Sequence, residues 1–171
     1  TPFNSTNPAV FLLKGTDHVT FRHLGFKALP SGYSDVLELR YSADHLTVSN
    51  CYFEGYHFGS SSVLIKCLNY GGFSDTMTIE NSYFLNGQQA IYLYNGGFSQ
   101  HEINIHQNTF VNQRFGGLDV SFIRGLYILN NKFTSNTTSS SYKAIDLNSS
   151  DKYIEISGND ISLSSAGSGM F

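Results

Sequence analysis

The stretches HLTVSNCYF (45–53), TMTIENSYF (76–84) and EINIHQNTF (102–110) decide the fold, because one pattern recurs in all three. Each has an alternating pair of apolar residues, then a polar turn, then an aromatic residue. Three further copies are HVTFRHLGF (18–26), GLYILNNKF (125–133) and YIEISGNDI (153–161). Repeats of this length built from short strands are typical of a solenoid in which each coil pairs with the next.

A second strand recurs beside the first, at steps of 26–28 residues. Its copies are AVFLL (9–13), VLELR (36–40), SVLIK (62–66), AIYLY (90–94), GLDVS (117–121) and AIDLN (144–148). Period-2 alternation in both sets predicts that one residue points into the core and the next points to solvent. The sequence therefore predicts an all-β fold, a right-handed, single-stranded parallel β-helix of about six coils.

The predicted inward positions are all apolar. In the first set they are Val19/Phe21, Leu46/Val48, Met77/Ile79, Ile103/Ile105, Leu126/Ile128 and Ile154/Ile156. In the second set they are Val10/Leu12, Leu37/Leu39, Val63/Ile65, Ile91/Leu93, Leu118/Val120 and Ile145/Leu147. Twelve apolar pairs in register predict one continuous core.

The corner after the first strand set is rich in asparagine. It carries Asn50, Asn81, Asn108, Asn130, Asn131 and Asn159. Asparagine tolerates the left-handed conformation of a sharp corner, and its amide can bond to an asparagine one rung away. The aromatic residues that follow are expected to stack inside a third wall; they are Phe26, Phe53, Phe84, Phe110 and Phe133.

This repeat resembles the right-handed parallel β-helix, or pectin-lyase-like, superfamily over nearly the whole chain. The resemblance implies the fold but says little of function, because lyases, hydrolases, phage tailspikes and adhesins share it. Function must therefore be argued from a site.

Composition limits the classes of function. The 171 residues suit one domain, 1–171, with 40% hydrophobic and only 13% charged residues. Such a composition is typical of an extracellular β-structure. A net charge of −3 without a basic stripe argues against a nucleic-acid partner. The sequence contains no stretch of 18 apolar residues, so it does not predict a membrane span. The first residue, Thr1, is not methionine, so we expect a segment of a larger secreted, multidomain protein.

Outward residues of the second strand set are expected to form two vertical rows. One row is predicted as Phe11, Glu38, Leu64, Tyr92, Asp119 and Asp146, and the other as Leu13, Arg40, Lys66, Tyr94, Ser121 and Asn148. Two near-identical insertions, NYGGFSD (69–75) and YNGGFSQ (95–101), follow this face. Tyrosine rings beside hydrogen-bonding groups are what sugars require, because a ring covers the apolar face of a pyranose.

The predicted ligand-binding residues are accordingly Tyr92, Tyr94, Glu38, Arg40, Lys66, Asp119, Asp146, Tyr70 and Phe98. Asp119 and Asp146 are expected on adjacent rungs with carboxyls roughly 5 Å apart, a spacing near that of a retaining glycosidase or of a shared calcium ion. Two solvated aspartates are the plainer interpretation. His18 and His45 also fall on adjacent rungs, where we interpret them as surface histidines. The two cysteines, Cys51 and Cys67, do not form a disulfide framework or a metal motif.

Two functions remain open, and a structural spacer or adhesin segment is a third, less favoured one. Against an enzyme, the chain lacks the paired-aspartate dipeptide and the GHG and RIK segments of polygalacturonases, and the calcium-binding acids of pectate lyases. Its size and tyrosine-rich face resemble the compact β-helical carbohydrate-binding modules of gut-bacterial xylanases. That resemblance implies a noncatalytic module that binds xylan, attached to a catalytic domain and exported by a bacterium, with no cofactor other than an optional calcium ion. A polysaccharide lyase or glycoside hydrolase is the alternative.

Overall fold

A computed structural model describes residues 9–28, 35–41, 45–56, 62–69, 76–95, 100–137, 139–150 and 152–164. Every regular element in these ranges is a β-strand, and eighteen strands form three parallel sheets of six. Successive strands along the chain pass from one sheet to the next, so three strands make one coil. The predicted parallel β-helix of about six coils is confirmed. The described ranges contain no helix long and apolar enough to cross a membrane.

The sheets follow the order of the coils. The first contains β1 (Phe11–Lys14), β4 (Leu37–Arg40), β7 (Val63–Asn69), β10 (Gln89–Asn95), β13 (Gly116–Ser121) and β16 (Lys143–Asn148). The second contains β2 (Thr20–Arg22), β5 (Leu46–Ser49), β8 (Thr76–Glu80), β11 (Gln100–His106), β14 (Arg124–Leu129) and β17 (Ile154–Ser157). The third contains β3 (Gly25–Lys27), β6 (Tyr52–Glu54), β9 (Tyr83–Leu85), β12 (Thr109–Val111), β15 (Lys132–Ser135) and β18 (Asp160–Leu163).

Most predicted inward residues lie in the core, and the second sheet follows the prediction closely. Leu46, Val48, Met77 and Ile79 are at most 2% exposed, as are their counterparts in β11 and β14. The last coil departs from this, since Ile154 and Ile156 on β17 are 36% and 47% exposed. Among the described residues, no further coil lies beyond β17 to cover them.

The predicted phase of β1 is wrong by one residue. Phe11 pairs with Leu37 and Leu13 with Leu39, so Phe11 and Leu13 point inward, not Val10 and Leu12. Leu13 is buried and the Phe11 ring meets Phe21 edge to face at 5.2 Å, whereas Val10 is half exposed. Every residue from 9 to 13 is apolar, so alternation alone does not select a phase.

The predicted register of β7 is wrong by two residues. Ile65 pairs with Leu37 and Cys67 with Leu39, so Cys67 occupies the core position expected for Ile65. Leu64, predicted to face solvent, is fully buried, and its methyl group lies where a Cβ on Gly55 would be. Burial raises the pKa of the Cys67 thiol to about 12, with a smaller contribution from the Glu38 charge. Cys67 and Cys51 are both free, buried thiols.

The predicted phenylalanine stack is confirmed. Neighbouring rings of Phe26, Phe53, Phe84, Phe110 and Phe133 lie 4.6–5.0 Å apart between centroids, with planes within 13° of parallel. Four of these five rings are fully buried. Their stack fills the inner side of the third sheet from the first coil to the fifth.

The asparagine-rich corner consists of two columns with different roles. The first column has one residue per coil in the left-handed region, with φ between 49° and 66°: His23, Asn50, Asn81, Gln107, Asn130 and Gly158. The second column is the amide ladder Asn108–Asn131–Asn159, of which Asn108 and Asn131 are buried. In this ladder Asn108 donates to Asn131 at 3.1 Å, and Asn131 donates to Asn159 at 3.0 Å. Asn131 also donates to the carbonyl of Ile105 at 2.8 Å.

Substitutions at Asn131 and Asn130, adjacent in sequence, distinguish the two columns. Asn131→Ala removes two donated bonds and leaves the buried N–H of Asn108 without its acceptor, so we expect a loss of about 2–3 kcal/mol in unfolding free energy. Asn130 is exposed and left-handed, so Asn130→Gly should stay within about 0.5 kcal/mol of wild type. Chemical denaturation of the two variants measures both; equal losses would contradict this assignment.

Candidate functional site

One outward row of the first sheet brings together most of the predicted binding residues. The register places Glu38, Lys66, Tyr92, Asp119 and Asp146 side by side on five successive rungs. At one rung per 4.8 Å, this outer row is about 19 Å long. The sequence predicted Leu64 in the place that Lys66 occupies, so the revised β7 register makes the row more polar than expected.

The end of the outer row at Glu38 is a network of paired charges. Arg40 donates from Nε and Nη2 to Oε1 of Glu38, at 2.8 and 2.7 Å. Lys66 donates to Oδ2 of Asp35 at 2.7 Å, and Oδ1 of Asp35 accepts from the backbone N–H of Val63 at 3.0 Å. The bond to Glu38 is the main cause that raises the pKa of Arg40.

Burial assigns different parts to the members of this network. Glu38 and Asp35 are 1% and 3% exposed, while the side chains of Arg40 and Lys66 are 35% and 23% exposed. Glu38 was predicted to bind a ligand directly. Because its side chain is buried and accepts from Arg40, its role is instead to orient the Arg40 guanidinium. The cations are the members of the network that reach solvent.

Aromatic residues occupy the middle of the face. Tyr92 and Tyr94 on β10 are both partly exposed, and Tyr92 lies between Lys66 and Asp119. The Tyr94 ring meets Phe122 edge to face, with centroids 5.6 Å apart and planes at 82°. Such a contact orients the Tyr94 ring. Tyr70 and Phe98, the other predicted aromatic ligands, lie outside the described residues.

The opposite end of the outer row carries two carboxyls in different surroundings. Gln89 donates from Nε2 to Oδ2 of Asp119 at 2.9 Å, and Lys143 donates to Oδ2 of Asp146. Burial is the main cause that raises the pKa of Asp119; the nearby Asp146 charge adds to the rise, and the Gln89 bond opposes it. The pKa of Lys143 is raised mainly by its bond to Asp146.

A pocket of about 410 Å³ opens beside these carboxyls. It is lined by Gln89, Phe115, Gly116, Leu118, Asp119, Ser141, Lys143 and Asp146. Gly116 lies in register between Gln89 and Lys143, and a Cβ there would lie 2.9 Å from the carbonyl oxygen of Lys143. A side chain at position 116 would therefore press on the backbone of β16, while Gln89 and Lys143 line a volume within the range of small-molecule sites.

Neither candidate for a metal is well formed. A calcium ion needs six to eight oxygen ligands, and one oxygen of Asp119 and one of Asp146 already accept from Gln89 and Lys143. The ligand atoms of Asp17, His18 and His45 lie within 4.8 Å of one another, all exposed. The two imidazole rings are stacked, 4.3 Å apart and 16° from parallel, so their in-plane lone pairs do not converge on one ion.

Sequence reasoning missed three residues of this face. Asp35 lies just before the strand VLELR, Gln89 just before AIYLY, and Lys143 just before AIDLN. All three precede the alternating segment, where the period-2 rule no longer says which way a side chain points. A polar residue directly before three strands of the first sheet is the sequence pattern from which these residues could have been predicted.

A family model described as "Right handed beta helix region" matches residues 11–133 of the chain. No curated protein and no solved structure was found to match this chain. The match spans the coils that carry Glu38, Lys66, Tyr92 and Asp119, and it stops before Asp146.

The raised pKa of Asp119 predicts a pH-dependent stability. A carboxyl whose pKa is higher in the folded state stabilises the fold below its unfolded pKa of about 3.9, and that contribution is lost as pH rises through the folded pKa. Asp119→Asn does not ionise and still accepts from Gln89. We expect its melting temperature relative to wild type to rise between pH 3 and pH 7.

Asp17→Asn is the control of opposite sign. The bond to His45 is the main cause that lowers the pKa of Asp17, so its contribution is present above the unfolded pKa and lost as pH falls. This variant should be less stable than wild type at neutral pH, and the stabilities of the two proteins should become equal in acid. A relative profile of Asp119→Asn that does not rise with pH would contradict the Asp119 assignment, and a relative profile of Asp17→Asn that does not fall would contradict the Asp17 assignment.

Proposed function

This chain belongs to the right-handed β-helix family, and we propose that it is a noncatalytic module that binds a plant cell-wall polysaccharide along the outer row of its first sheet. Xylan is the polymer we propose first. We also propose that it is exported from a bacterial cell and linked covalently to a catalytic domain.

The observation that carries this proposal is the position of Tyr92. The strand register places it between Lys66 on one adjoining rung and Asp119 on the other. A pyranose that stacks on the ring places its hydroxyls at the ring's margin, where a donor on one side and an acceptor on the other meet them. Tyr94 lies on the same strand and extends the aromatic surface by one outward position.

The charges of the face favour an uncharged or weakly acidic polymer. Lys66 is paired with Asp35, Arg40 with Glu38, and Lys143 with Asp146, so the cations have internal counterions. A strongly anionic chain would compete with buried carboxylates for these cations. The paired groups keep fixed directions, which suits hydroxyl recognition, because less side-chain freedom is lost on binding.

The shape of the face favours an extended chain over a compact ligand. The outer row rises as a straight wall about 19 Å long. A pocket opens beside Gly116 at the acidic end of this wall. We propose that the polymer lies along the wall and that a sugar or side-branch enters this pocket, between Gln89 and Lys143.

A hydrolase is the second candidate, because the structure gives Asp119 and Asp146 different environments. A retaining glycosidase needs one carboxyl held protonated and one ionised, about 5–5.5 Å apart. Burial raises the pKa of Asp119, whereas Asp146 pairs with Lys143. The described residues of this wall do not enclose a substrate as lyases and hydrolases usually do, so we rank this candidate second.

Loss of the tyrosine rings tests the binding module. Each ring contributes about 0.5–1.5 kcal/mol beyond burial, so Tyr92→Ala and Tyr94→Ala should each weaken binding roughly 2- to 12-fold. Isothermal titration and affinity gels over xylan, glucan, mannan and pectin measure this. Tyr127→Ala is the matched control, because Tyr127 points outward from the second sheet. Unchanged binding in a Tyr92→Ala, Tyr94→Ala double variant would contradict the site.

Product analysis separates the two candidates. For a binding module, reducing sugar should not accumulate from any of the four polymers, and Asp119→Asn should change affinity alone. Reducing sugar that accumulates with wild type and disappears in Asp119→Asn would identify a hydrolase instead, with the affinity of the variant retained.

A further inference from the structure

We propose a second sugar-stacking site on the third sheet, separate from the outer row of the first sheet. It consists of Tyr52 and Tyr83, whose rings stack with centroids 5.8 Å apart and planes 11° from parallel. Both project outward from neighbouring strands, β6 and β9, and they are 38% and 39% exposed. The ligand class is a neutral or weakly acidic polysaccharide.

The rung before Tyr52 provides the space for a sugar ring. Gly25 pairs with Tyr52, and Tyr52 with Tyr83, so the three residues form one outward row. Tyr83 covers one face of the Tyr52 ring. On the other side the row holds Gly25, and among the described residues no atom lies within 4 Å of a Cβ built there. A pyranose at this rung would be the third ring of the stack, with its apolar face on Tyr52.

Polar groups stand beside this space. Lys27 pairs in register with Glu54, and its ammonium lies 2.8 Å from Oε1 of that carboxyl. The Tyr52 hydroxyl donates to Oε2 of Glu54 at 3.3 Å. These groups lie two residues along the strands from Gly25 and Tyr52, so they project from the same face. A stacked sugar would find a fixed donor and a fixed acceptor at its edge.

A purely structural role does not account for the tyrosine pair. The core of the same sheet is already filled by five stacked phenylalanines, whereas the outer stack stops after two rings and is more than a third exposed. The second sheet carries Thr20, Thr47 and Thr78 in the corresponding coils, which is an ordinary solvated surface. An exposed aromatic pair next to a vacant rung is a feature of a binding surface.

The two sites lie on different sheets, so one straight polymer chain cannot occupy both. Each module would then hold two chains, or two segments of a folded chain, and would gain avidity on a dense polysaccharide. This inference shares only its ligand class with the proposed function, and it depends on a different set of residues.

Isothermal titration with xylohexaose, and with the corresponding glucan and mannan hexamers, tests the second site. We expect two equivalents of the best-bound hexamer per wild-type chain. Tyr52→Ala should reduce this to one. Gly25→Ile should do the same by filling the vacant rung with an aliphatic side chain that offers no ring for stacking, without loss of thermal stability, because open space surrounds that position. Tyr127→Ala should keep two equivalents.

The outcomes distinguish failure of this site from failure of the first. One equivalent in wild type that is lost in Tyr92→Ala and kept in both Tyr52→Ala and Gly25→Ile overturns the second site and leaves the first intact. One equivalent that is lost in Tyr52→Ala and in Gly25→Ile but kept in Tyr92→Ala supports the second site and overturns the first. Two equivalents in either Tyr52→Ala or Gly25→Ile overturn the second site.

Discussion

Asn108, Asn131 and Asn159 form a ladder in which the buried amides of Asn108 and Asn131 each donate to the amide on the next coil. Because each of these side chains also donates to a backbone carbonyl of the preceding coil, the ladder links four successive coils and limits how far one can rotate relative to the next. That constraint helps to hold the last four coils in register. The phenylalanine stack and the alignment of outward residues both depend on such a register along the coils.

The same register creates the candidate site. Glu38, Lys66, Tyr92, Asp119 and Asp146 are separated by about 27 residues in sequence, and they become neighbours because their coils stack without rotation. Buried counterions add what stacking alone does not provide. A lysine on an open wall has many rotamers, whereas the bond to Asp35 gives the Lys66 ammonium one direction. The outer surface is therefore ordered by groups that are themselves out of reach of solvent.

The sequence predicted the core wherever apolar and polar residues alternate, as in LTVS of β5 or MTI within β8. It failed in β1, where every residue is apolar, and in β7, where Val63, Leu64 and Ile65 allow several registers. On the outside, it placed Tyr92, Asp119 and Asp146 correctly on successive rungs. The partners Asp35, Gln89 and Lys143 escaped it, since their contacts are set by the turn that leads into each strand. The burial of Glu38 likewise has no signature in a pattern of alternating residues.

Alternation along each strand has a consequence for how such a protein changes over generations. Inward side chains pack against the neighbouring coils, whereas most outward side chains contact solvent. The two sets therefore tolerate different kinds of substitution. Gly25, Tyr52 and Tyr83 occupy equivalent outward positions with very different side chains, while Phe26, Phe53 and Phe84 beside them are identical. Selection for a new ligand can therefore change an outward row one residue per coil, while the inward residues that specify the fold stay the same.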